Sequence, residues 1–234
     1  MSEAAGLNKF RDVEFHDGVI NSVSLSIVDR ACEIDLCLGD YKVGRDRSGY
    51  SLSCTGVAEF FGRFGFGELA DNASAGNIQD GHVDASGGSL RLYLAGGLVE
   101  AGGSNVDLAA LHRPMDATGT SKIRVGRGGF KRLESVEFDF SYLESIAFSP
   151  ATGTCSMNLL MRSGGITSDL HPVSISFSGV TSCVAKLDVA ALAGEHRFGN
   201  VRSCIVHRKQ HMIRMYVSEG FIEVIAARVS LVRR

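Results

Sequence analysis

The chain has 234 residues, 44% of them hydrophobic and 21% charged, with a formal net charge of −2 at pH 7. This composition excludes general disorder and suits either one large domain or two small ones. The 28 glycines against only 3 prolines point to many tight reversals between antiparallel strands. The first ten residues carry neither an apolar run nor a cleavage pattern, and no stretch approaches the ~18 apolar residues of a spanning helix. A cytoplasmic protein without a membrane segment is therefore expected.

The first candidate for chemistry is Phe15-His16-Asp17, because histidine beside an acid serves in proton transfer or metal binding. On a strand, neighbouring side chains point to opposite faces, so His16 and Asp17 converge only if the chain bends there. Val23-Ser24-Leu25-Ser26-Ile27 and Ile34-Asp35-Leu36-Cys37-Leu38 then alternate with the period of half-buried strands, and Leu52–Val57 forms a further apolar strand ending in Gly-Val. Gly62-Arg63-Phe64-Gly65-Phe66-Gly67 has the glycine content of a phosphate loop. It lacks the GxGxxG spacing, and no helix is expected after it.

Asn77, after Gly76, is expected to hold a turn or the start of a strand by bonding its side chain to the backbone. Leu90-Arg91-Leu92-Tyr93-Leu94 alternates again and leads through Gly97 into a closing hairpin. An even-numbered loop there sets Tyr93 opposite Leu98 and Arg91 opposite Glu100, an ion pair that pins the register.

Residues 111–132 read as a basic, glycine-containing linker between a first unit, 1–110, and a second, 133–234. The linker carries Arg113, Lys122, Arg124, Arg127, Lys131 and Arg132 against Asp116 alone. Charge is correspondingly uneven, with 8 basic and 16 acidic side chains in residues 1–111 but 16 and 10 in residues 112–234. Arg124, Arg127, Lys131 and Arg132 are the candidates for touching phosphate. The expectation is that this strap rests on acidic surface or stays solvated, so nucleic acid is not the expected partner. An acidic first unit suits a basic protein partner instead.

Beyond the linker the sequence returns. Residues 133–231 align without a gap on residues 10–108, a shift of 123, with 23 identities over 99 positions; unrelated sequence would give roughly 6 or 7. Gly199-Asn200 falls on Gly76-Asn77, Gly179 on Gly56, and Arg214, Tyr216 and Glu223 on Arg91, Tyr93 and Glu100. Repeated polar residues of this kind read as architecture. Ala185–Gly194 is the one segment suggesting a short helix. His207 and His211 have the spacing of a helical metal pair but fall in a turn between two strands, so no metal site is expected. The six cysteines, Cys32, Cys37, Cys54, Cys155, Cys183 and Cys204, form no CxxC pair and read as reduced, mostly buried thiols. The expected fold is all-β: two tandem antiparallel β-sandwich or flattened-barrel repeats.

Each repeat resembles the small bacterial immunity proteins of polymorphic-toxin systems, the group catalogued as immunity family fifty. The residues that carry the likeness are Phe15-His16-Asp17-Gly18-Val19-Ile20, the strand Leu52–Val57, Asn77, and the closing hairpin through Gly97 and Glu100. The second repeat departs from the pattern at its opening, where Phe138-Asp139-Phe140 lacks the histidine. The resemblance implies a non-catalytic protein that binds a cognate toxin; no functional residue carries over with it. Two other roles are consistent with the residues, an assembly component that forms homo-oligomers and an enzyme with a cleft site near His16 and Asp17. No cofactor is expected.

Overall fold

Strands form where apolar and polar side chains alternate, because alternation buries one face of a strand against a common core. The computed structural model describes residue 10 and residues 13–39, 47–84, 88–111, 129–162, 169–194 and 199–233. In the first half these hold β1 (Val19–Ser26), β2 (Ala31–Gly39), β3 (Arg47–Thr55), β4 (Glu59–Gly65), β5 (Ile78–Asp84), β6 (Ser89–Leu94), β7 (Gly97–Gly102) and β8 (Asn105–Leu111). The second half holds β9 (Tyr142–Ser149), β10 (Thr154–Arg162), β11 (Leu170–Asp188), β12 (Val201–His207), β13 (Met212–Val217) and β14 (Gly220–Arg233). The helices are short: α1 (Phe66–Asp71), α2 (Gly129–Leu133) and α3 (Val189–Gly194).

Two local expectations are corrected. A helix, α1, does begin within Gly62–Gly67, at Phe66; with six residues it buries only Phe66 and Leu69. In Ala185–Gly194 the strand β11 continues to Asp188 before α3 begins, because Ala185 and Leu187 are needed in the core. Lys131 and Arg132 lie in the last turn of α2, where positive charge complements the helix dipole. Arg113, Lys122, Arg124 and Arg127 lie outside the described residues.

All strand pairing is antiparallel, and instead of two separate sandwiches the strands make one 14-stranded sheet. This sheet folds over itself into a nearly closed, flattened barrel with two walls. Wall one runs β8-β3-β2-β1-β9-β10, then the first part of β11 and the last part of β14. Wall two runs β5-β6-β7-β4, then the end of β11 and the start of β14, then β13 and β12. The long strands β11 and β14 pass from one wall to the other. Their pairing shifts register between Val180 and Ser182, beside Gly179, whose φ is +60°. Gly56, between β3 and β4, makes the same turn at φ +64°, where an added Cβ would stand 2.2 Å from Ser104 Oγ. Glycine is required at such bends.

The halves meet along both walls. β1 pairs with β9 with Ser24 opposite Ala147, and β4 pairs with β11 with Gly62 opposite Ala185. The buried side chains of both halves form one core. Its centre is aromatic: Phe148, on β9 in wall one, stacks on Phe64 with ring centroids 4.8 Å apart and on Phe60 at 6.4 Å, both on β4 in wall two. A single core predicts a single unfolding transition. Phe148→Ala should cost about 3–5 kcal/mol in urea unfolding while keeping one transition; two separated transitions would show that the halves fold independently.

Candidate binding groove

The repeated polar residues hold the framework. Asn77 is buried and its Oδ1 accepts the Ile20 amide at 2.8 Å, while its Nδ2 donates to the Leu69 carbonyl at 3.2 Å. Asn200 accepts the Leu143 amide at 2.6 Å and donates to the Leu143 carbonyl at 3.2 Å. Gly76 and Gly199, with φ of +117° and +82°, let these latches close: a Cβ on either would stand 2.4 Å from the backbone of Asp17 or Phe140. Arg91 pairs with Glu100 and Arg214 with Glu223, each directly across its hairpin. The Arg91 guanidinium is held charged above its ordinary range by its bonds to Glu100 and Tyr93. These pairs set strand register. Replacing Asn77 or Asn200 by alanine strands a buried amide, and each change should lower unfolding free energy by about 1–3 kcal/mol; a neutral result in denaturant titration would remove the latch role.

His16 and Asp17 do converge, because the chain bends there. They sit in a turn before β1, where Asp17 has φ +62°, and His16 Nδ1 lies 3.0 Å from Asp17 Oδ1. Their side chains are 62% and 51% exposed, so the pair stands in water. His207 and His211 flank a 3-10 turn, with the His211 ring stacked on Phe130 at 5.5 Å. Among the described residues, no three His, Cys, Asp or Glu side chains gather as metal ligands would.

The outer faces of the two walls differ. Across wall one runs a row of mostly short side chains, with Glu33 the long exception: Asp107, Ser53, Glu33 and Ser24 in the first half, then Ala147, Ser156, Ser176 and Ser230 in the second. Where it is concave it forms a shallow groove of about 390 Å³. Polar groups at and beside it bond to one another, as in Ser22 to Asp35 at 2.9 Å and Asn158 to Ser145 at 2.9 Å.

Wall two carries the larger groove, about 970 Å³, across the seam between the halves. Phe61 and Phe221 lie on either side of Lys186, directly across from it on β4 and β14. One step along the strands, Glu59 stands opposite Asp188, and Glu219 closes the same end. Both Phe rings are half-buried, while Glu59, Asp188, Glu219 and Lys186 are exposed. Asp188 Oδ1 accepts the Ala191 amide at 2.8 Å at the start of α3. Sequence reasoning missed this group because each half supplies only part of it, and Glu59 and Asp188 have no acidic counterpart 123 positions away.

The cysteines are all free thiols, four buried and two, Cys37 and Cys204, half-buried. Burial pushes the Cys204 thiol up to about 12, with Asp139 adding to it, and raises Cys32, Cys54 and Cys183 above the ordinary 9.0. Burial disfavours the thiolate, so these thiols suit the folded state only while they are neutral. Their contribution is complete below pH 9.0 and fades as pH climbs towards 12. At pH 8 iodoacetamide should therefore spare these four in the folded protein and label all six cysteines after unfolding without reductant; fewer than six would reveal a disulfide. Comparison with protein-family models, curated proteins and solved structures finds no match for this chain.

Proposed function

We propose that the protein is a non-catalytic, cytoplasmic binding protein that captures a protein partner on the outer face of wall two, in the manner of an immunity protein holding its toxin. The groove between Phe61 and Phe221 carries this reading. Half-buried aromatic rings in a concave surface are the usual energetic centre of protein interfaces, because they desolvate a large area at small entropic cost. The polar residues common to both halves are engaged in framework bonds, and the exposed His16–Asp17 pair lacks an enclosing cleft, so binding is favoured over turnover.

We also read the chain as a tandem duplication whose copies pair as the subunits of a two-fold dimer do. Support comes from element bounds such as β1 and β9, or α1 and α3, which begin and end 123 residues apart. Each seam is moreover centred on equivalent residues, Ser24 against Ala147 and Gly62 against Ala185. An isologous pairing has this property. The groove lies on that seam, so one partner would touch both copies.

The test is co-purification with the product of the neighbouring gene, the arrangement that toxin and immunity genes share. Wild-type protein should retain that product and suppress its toxicity. Phe61→Ala combined with Phe221→Ala should weaken retention at least about tenfold with folding intact by circular dichroism. Undiminished retention by this folded double variant would place the contact elsewhere.

A further inference from the structure

Resting on that reading of wall two, the charge of the groove specifies what enters it. Glu59 and Asp188 face each other across adjacent strands, an arrangement of like charges that is unfavourable unless a cation neutralises it. Glu219 lies at the same end of the groove, and no ion pair within 4.0 Å joins Lys186, the groove's one cation, to any of the three among the described residues. Glu100, the fourth carboxylate, is already paired with Arg91. This end of the groove is thus a net negative site beside two aromatic rings, whose faces attract cations.

Spacing adds a second constraint. The Glu59–Asp188 row and the Phe61–Lys186–Phe221 row are two residues apart along β4 and β11. That separation is about 6.8 Å in a strand, which is also the distance between alternate side chains of an extended peptide. We infer that the groove takes an extended segment of the partner protein, with an arginine or lysine between Glu59 and Asp188 and an apolar side chain two residues away between Phe61 and Phe221. Lys186 opposes this ligand and sets its affinity below what the carboxylates alone would give.

The direction of each charge effect separates a cationic from an anionic ligand. A fluorescein-labelled heptapeptide with arginine and leucine two residues apart is the probe, and the same peptide with glutamate for arginine is the control, both read by anisotropy against the full chain. Glu59→Gln with Asp188→Asn should weaken binding of the arginine peptide on the order of tenfold, and Lys186→Gln should tighten it about threefold. Asp35→Asn, on the outer face of wall one, should leave it unchanged, and raised salt should weaken it. Preference for the glutamate peptide, tighter binding when the carboxylates are neutralised, or equal binding by all variants would overturn the inference. If retention of the neighbouring gene product falls in the phenylalanine variant but not in Glu59→Gln with Asp188→Asn, the cationic segment is wrong while docking on wall two stands.

Discussion

Backbone pairing along the seam is the constraint on which the rest of this molecule depends. β1 and β4 each have one side with no partner in their own half, and an unpaired strand edge leaves a row of amides and carbonyls to be satisfied elsewhere. Here β9 and β11 satisfy them, in both walls at once. The result joins two short stretches of sheet into two broad walls and closes one core between them. Phe148 reaching across to Phe60 and Phe64 is the side-chain counterpart, since it ties wall to wall and half to half in one contact.

The halves differ where they touch. The first half buries Cys54 and Phe60; 123 residues on, the second buries Phe177 and Cys183, so the large and small side chains have changed places. At the seam Phe60 stands opposite Leu187 and Phe64 opposite Cys183, while Phe148 replaces the Leu25 of the first half. Two rings from one half thus pack on one from the other. A close-packed interior tolerates such exchanges when total volume is kept. The consequence is a seam that fits unlike halves, and two identical first halves would crowd it with Phe60 and Phe64 on both sides. The Gly-Asn latches, the Gly-Val bends and the Arg–Glu hairpins occur in both halves because they answer backbone requirements that recur in each.

The groove on wall two follows from the same pairing. Neither β4 nor β11 carries it alone: Phe61 and Glu59 come from one half, Lys186, Asp188, Glu219 and Phe221 from the other. Its carboxylates Glu59, Asp188 and Glu219 have no charged counterpart 123 positions away, whereas Lys186 answers to Arg63 and the framework pairs are shared. That division separates what holds the molecule together from what distinguishes its surface. Wall one shows a different character, with many short hydroxyl side chains, some of which bond to Asp35 and Asn158 beside them.

Sequence by itself determined the all-β class, most strand positions, the 123-residue correspondence, and the register that sets Arg91 against Glu100 and Arg214 against Glu223. These rest on local rules, a period of two and the geometry of a short hairpin, so nearby residues suffice to read them. The His16–Asp17 contact was not legible because Asp17 adopts a left-handed backbone under Gly76, 59 residues downstream. α1 escaped because its six residues are too few to show a helical period. Tertiary structure alone decided that the halves share one sheet, and hence that Phe61, Lys186 and Phe221 lie side by side. Strand-to-strand pairing between distant segments is chosen by which edges remain open and which side chains fill the common core, and neither quantity is a property of any one stretch of chain.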